Sequence, residues 1–192
     1  MKSFFAKHKS NIITALLLGI LIFPQSREWV QSQISFPPKV IKEVKRDTLK
    51  EYNWSLVDER GEDVNFSEFQ GKAIFINFWA TWCPPCRAEM PFIEDFYKEF
   101  KEDMVFVLVS NEDRSVIQKF REKENYSFPI YQMRSRSPEA FQISNSIPLS
   151  FLIDDKGRIA VQKTGSARWN SSSFYKKIRS SVITKVRPEQ TE

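Results

Sequence analysis

Beyond Tyr52 the apolar residues follow two periods in turn, and each period predicts an element. Trp54 to Val57 and Val64 to Phe66 flank the turn signal Glu59-Arg60-Gly61, which predicts a β-hairpin. Ala73 to Phe78 and Met104 to Val109 are apolar runs of the kind that form buried strands. Between them, Pro84 to Phe100 carries Phe92, Ile93, Phe96 and Phe100 at helical spacing. Val116, Ile117 and Phe120 mark a second amphipathic helix, and Phe128 to Gln132 a short strand. Leu149 to Ile153 and Arg158 to Gln162 read as strands joined by the hairpin signal Asp155-Lys156-Gly157. Phe174, Ile178 and Val182 give a last helix. Strand–helix–strand alternation, then a hairpin and a helix, predicts an α/β fold: a mixed sheet with helices on both faces.

The pattern before Tyr52 is different. Ile12 to Phe23 is an uncharged, mostly aliphatic stretch that follows Lys2, Lys7 and Lys9 and closes at Pro24. At about 1.5 Å per residue it reaches roughly 18 Å, short of the ~30 Å hydrocarbon core. Extending it over residues 10–26 gives a marginal span. No small-x-small cleavage site follows, so the reading is an uncleaved signal anchor. The lysines keep the N-terminus cytoplasmic and place the remainder across the membrane, where disulfides persist. The expected organisation is a cytoplasmic tail and signal anchor over 1–26, a juxtamembrane linker over 27–50, a folded domain over 51–187 and a tail over 188–192. Localisation would be the inner membrane, with the domain in the periplasm or on the outer envelope face.

Composition removes whole classes of chemistry. The single histidine, His8, lies in the N-terminal tail, which argues against a Ser-His-acid triad, a Cys-His protease or a His-ligated metal. Five glycines, none at phosphate-loop spacing, argue against nucleotide fingerprints. The net charge of +5 is partly the N-terminal lysines, and the remaining charges are mixed in sign. That is a solvated surface rather than a nucleic-acid footprint, so no nucleic-acid partner is expected. Arg134 and Arg136 read as a solvated loop, and the basic residues of the last helix as a solvated face.

The two cysteines carry the remaining chemistry. Cys83-Pro84-Pro85-Cys86 sits where an apolar strand ends and a helix begins, the setting of a redox C-x-x-C. Cys83 would be the helix N-cap and Pro84 the first helical residue, where no N–H is needed. The helix dipole then favours a thiolate on Cys83, and Cys86, one turn on, can close a disulfide. A zinc half-site would need two further ligands, and the folded region has no other Cys or His. No metal and no separate cofactor are expected.

Trp79-Ala80-Thr81-Trp82-Cys83-Pro84-Pro85-Cys86, followed by Glu89-Met90-Pro91, resembles the active-site block of the TlpA/ResA-like membrane-anchored thiol–disulfide oxidoreductases of the thioredoxin superfamily. Ser146-Ile147-Pro148, then Phe151-Leu152-Ile153-Asp154, resembles their cis-proline strand, and the Gly61 hairpin with Phe66 to Lys72 their N-terminal hairpin. The resemblance covers about residues 50–185. It implies a thioredoxin-like sheet with an N-terminal hairpin and a central strand–helix insertion. It implies Cys83 as the exposed attacking thiol, Cys86 as the resolving thiol, and a redox-active Cys83–Cys86 disulfide. Pro148 would be cis, leaving backbone beside it, at Ile147, to pair with a substrate strand. Trp82, Pro84, Pro85, Ile147 and Pro148 are therefore the expected substrate-binding residues, Trp82 as the rim of the site and Trp79 as packing. Trp169 reads as core or surface cover.

Two departures from ordinary thioredoxins matter. Those proteins carry a buried aspartate in the strand before the motif, and this chain has Asn77 nearby, which cannot take a proton as a carboxylate can. Glu89, one turn after Cys86, is the replacement candidate. Pro84 and Pro85 offer no N–H to the Cys83 sulfur, which fits a reductant or exchange catalyst better than a strong oxidant. The expected function is reduction of disulfides in exported proteins such as apocytochrome c, with a membrane electron donor and contact to the bilayer through residues 10–26. The alternatives are a copper-site assembly factor and a thiol peroxidase.

Overall fold

A computed structural model describes residues 35–183 together with Ile13, Thr14, Leu18 and Gly19. Apart from those four residues, the expected anchor and the segment before it lie outside the described residues, as does the 188–192 tail. Among the described residues no helix is long and apolar enough to cross a membrane.

Seven strands form one mixed sheet: β1 (Ser55–Val57), β2 (Asp63–Asn65), β3 (Ile74–Phe78), β4 (Val105–Ser110), β5 (Ile130–Met133), β6 (Leu149–Ile153) and β7 (Ile159–Thr164). Their spatial order is β2-β1-β5-β4-β3-β6-β7. The pairs β3/β4 and β4/β5 are parallel, and the other four are antiparallel. Each parallel pair needs a helical crossover, supplied by α1 (Pro84–Phe100) and α2 (Arg114–Lys123); α3 (Ser172–Ser181) follows the β6/β7 hairpin. The predicted elements are all present, with boundaries moved by one or two residues.

The expectation of helices on both faces is corrected. Residues from α1, α2 and α3 share one cluster with Phe75, Phe106, Leu108 and Leu152. The other face, carrying Ile74, Ile76, Val107, Val109 and Phe151, is closed by Trp54, Phe66 and Phe141. Phe66 and Phe141 sit on 3-10 turns at Phe66–Phe69 and Glu139–Phe141. The cause is topological. Two right-handed crossovers that step in the same direction, β3 to β4 to β5, must place both helices on the same side.

The described part of the expected 27–50 linker runs along the sheet, extended but for a 3-10 turn at Glu43–Lys45. Ile41 N–H donates to the Ala160 carbonyl, Ile159 N–H to that of Asp47, and Leu49 N–H to that of Gly157, each at 2.8 Å. Thr48 bridges Arg158 in antiparallel register. The segment thus covers the free edge of β7, which would otherwise present unpaired backbone. Arg46 is drawn inward by Asp154 at 3.0 Å, with both side chains 1% exposed. Residues 41–49 are therefore bonded to the sheet edge and to the β6/β7 turn.

Candidate active site

β3 ends at Phe78, and Trp79 N–H donates to the Val109 carbonyl, so the chain leaves the middle of the sheet pinned to its parallel neighbour. A turn closed by Cys83 N–H to the Ala80 carbonyl then delivers Cys83 to the N-cap of α1. Pro84 and Pro85 occupy the first helical positions, where missing N–H groups are harmless. Cys86 N–H is the donor to Cys83 Sγ, at 3.2 Å. Cys83 and Cys86 are joined as a disulfide with Cα atoms 5.3 Å apart.

The surroundings differ from the expected exposed nucleophile. In the disulfide Cys83 is only 2% accessible and Cys86 is fully buried. Bonding to a residue inside the first turn draws the Cys83 sulfur inward, 3.9 Å from the Ile147 carbonyl oxygen. Trp82, at 69% exposure, is the prominent apolar group at the surface beside the pair, with Pro84 also exposed and Pro85 half-buried. The Ile147–Pro148 peptide is cis, the isomer the resemblance implied, and Pro148 is buried. A groove of about 430 Å³ runs past Ile147 between Phe78, Met133, Phe141 and Ser146.

Glu89 is completely buried on α1, one turn beyond Cys86. Its Oε1 accepts from Asn77 Nδ2 at 2.8 Å. Its Oε2 accepts from the Ala167 N–H at 3.0 Å and the Trp169 indole N–H at 3.1 Å. Burial pushes the carboxyl up to about 7, against the opposing pull of these three donors and of Lys163. Asn77 is therefore not a bystander: its Nδ2 also donates to Ser150 Oγ at 2.9 Å, tying β3 and β6 to the carboxylate. Pro91 lies inside the helix, where it removes the bond to the Arg87 carbonyl.

A second carboxylate was not legible in the sequence. Glu112, just past β4, accepts from the Thr81 N–H at 2.6 Å and the Thr81 hydroxyl at 2.7 Å. Ser110 Oγ adds a bond at 3.1 Å. This bidentate grip holds the turn that presents Trp82 and Cys83. Glu112→Ala leaves a backbone N–H and two hydroxyls without their acceptor, so we expect a loss of about 1–3 kcal/mol. Denaturant midpoints at constant slope measure it; a variant as stable as the parent would show that water replaces the carboxylate. Trp169, expected as core or surface cover, is fully buried in the core; its added role as a Glu89 donor carries no local signal. Arg134 pairs with Asp63 outside the site, whereas Arg136, bonded to Gln142, lines the groove that runs past Ile147.

A sheet whose central strand delivers a Cys-x-x-Cys disulfide to a helix N-terminus, opposite a cis-proline strand, defines a thioredoxin-like protein. The chain belongs to the Redoxin family, whose profile matches residues 41–178. It is 37% identical over 116 residues to the thiol-disulfide oxidoreductase ResA of Halalkalibacterium halodurans, covering 59% of this chain and 65% of that protein. Against ResA of Bacillus thuringiensis subsp. konkukian it is 33% identical over 129 residues, covering 65% and 73%. The match thus spans 65% of the length of the first of these relatives. A secreted thiol-disulfide isomerase from Corynebacterium glutamicum shares the fold, with a TM-score of 0.58 at 16% identity over 75% of this chain and 88% of that one.

Proposed function

We propose that the protein is a thiol–disulfide oxidoreductase that reduces disulfides in exported proteins, apocytochrome c among them. The observation that carries this reading is the Cys83–Cys86 disulfide at the start of α1, with the buried carboxyl of Glu89 one turn further along. The thiol-disulfide oxidoreductase activity for which the ResA relatives are named supports it. The apolar stretch after Lys2, Lys7 and Lys9 supports a single N-terminal anchor in the inner membrane, with the domain on the periplasmic side. A membrane-borne electron donor would then return the pair to the dithiol.

In the reduced protein the Cys83 thiolate attacks one sulfur of the substrate disulfide. A mixed disulfide forms and the first substrate thiolate leaves. Cys86 then gives its proton to Glu89, and its thiolate attacks Cys83 Sγ. The Cys83–Cys86 bond forms as the second substrate thiolate leaves. The substrate gains two electrons and the enzyme loses two. Trp82, Pro84 and Pro85 form the rim against which the substrate lies, and Ile147 with Pro148 lines the opposite wall.

The roles of the two sulfurs are tested by trapping. Cys86→Ser, expressed in its own cell, should accumulate covalent adducts that reductant releases, because the mixed disulfide cannot resolve. Cys83→Ser should accumulate none. Adducts on Cys83→Ser alone would reverse the assignment. Adduct-free variants combined with peroxide turnover, or with tight Cu(I) binding, would move the function to a peroxidase or a copper-site factor.

A further inference from the structure

The donors to Glu89 are divided unequally between its two oxygens. Oε2 accepts two hydrogen bonds, from Ala167 and Trp169, which engages both of its lone pairs. Oε1 accepts one, from Asn77, and keeps one lone pair for a proton. Both donors to Oε2 come from the connection between β7 and α3, remote in sequence from the cysteines. That connection is held rigidly. The Trp169 ring is fully buried against Phe75 at 4.8 Å and Phe96 at 6.1 Å, and the Arg168 N–H donates to the Phe36 carbonyl at 3.0 Å.

The other buried indoles behave differently. Trp54 gives its N–H to the Ser135 carbonyl, and the Trp79 N–H has no hydrogen-bond partner. Among the described buried tryptophans, Trp169 is the one whose N–H meets an ionisable group. An indole kept only for packing has no need of that partner.

We infer that Trp169 is a positioning residue: it pins Oε2, directs the proton leaving Cys86 to Oε1, and sets how readily Glu89 takes it. The inference rests on Glu89 being the proton acceptor of Cys86. The groups facing Glu89 come from every neighbouring element. Lys163 on β7 is a cation that favours the anion. β3 and β6 bring the neutral Asn77 and Ser150, and α1 brings Cys86. In the loop itself, Arg168 stacks its guanidinium over the Phe92 ring at 5.3 Å. The indole donates to the carboxylate and so favours the charged form; without it, burial acts less opposed.

The test is the pH dependence of disulfide exchange for the full chain and two variants. Trp169→Phe should move the Glu89-dependent midpoint upward by about one pH unit, a tenfold change in ionisation constant, as loss of one hydrogen bond to a charge requires. A residue that only packs would lower the rate at every pH and leave the midpoint in place. That result overturns the inference while the Glu89 reading stands. If Glu89→Gln reproduces the parent profile, the Glu89 reading fails and takes this inference with it. Should Trp169→Phe not fold, the parent supplies the answer through the indole N–H resonance of Trp169 in 15N-labelled protein. It should titrate with the Glu89 midpoint and lie flat in Glu89→Gln; a flat line in the parent overturns the inference.

Discussion

Glu89→Gln should slow disulfide exchange by about 10²-fold near pH 7, the low end for loss of a general base. Resolution needs the Cys86 thiolate, and Cys86 is fully buried, an environment that disfavours charge. Asn77 cannot accept the proton, since its amide hydrogens point at Glu89 and Ser150. Asp95 is further along α1, bonded to Asn170. Glu89, held near neutrality at about 7, can both take and return a proton at working pH. The glutamine keeps the volume, and an amide flip at Asn77 can accommodate its NH₂ group. Stopped-flow exchange from about pH 6 to 8 checks the result, over the window a tuned carboxyl spans; a parent-like profile would leave Glu89 without a chemical role.

The same residue makes a stability prediction with a definite sign. Its folded value, about 7, lies above the unfolded reference of 4.5. The native state therefore holds a proton that the unfolded chain has released. Stability is fully present below the unfolded value and falls as pH rises from there through about 7, by roughly 3 kcal/mol in total. Denaturation of the oxidised protein and of oxidised Glu89→Gln at pH 5 and pH 8 should show the parent losing ground to the variant at the higher pH.

Arg46→Ala should destabilise the domain by about 3 kcal/mol, the lower end for breaking a buried ion pair. Arg46 joins three remote pieces. Its Nη1 meets Asp154 at 3.0 Å and the Ser181 carbonyl at 2.7 Å, and its Nε the Ile41 carbonyl at 3.1 Å. Asp154 keeps other partners after the substitution, Arg158 Nε at 2.9 Å and the N–H groups of Lys156 and Arg158. That limits the loss. Asp154→Ala should be worse, because it strands the Arg46 charge and opens the β6/β7 turn. Urea denaturation of both variants decides. An Arg46→Ala change within about 1 kcal/mol, the range of a surface pair, would mean the pair is functionally solvated. The same contacts predict that a fragment starting at residue 51 is less stable than one starting at residue 35.

What could be read from the chain alone was whatever depends on near neighbours. Helical and strand periods placed the elements, because burial of one face repeats at a fixed spacing. Cys83, Pro84 and Cys86 declared an N-capped redox helix, since capping, proline placement and the one-turn return are all local. Glu89 was reachable for the same reason, three residues after Cys86 on the same helix. The tertiary structure decided whatever depends on where the chain comes back. Trp169 lies 80 residues from Glu89, Glu112 lies 31 from Thr81, and Arg46 lies 108 from Asp154. None of these pairs has a spacing that sequence can show, because the contact is made by sheet order and crossover hand. The same global geometry put α1, α2 and α3 on one face and laid the segment around Ile41 to Leu49 along an edge strand. Local periodicity specifies which surfaces must be buried; only the closed fold specifies against what.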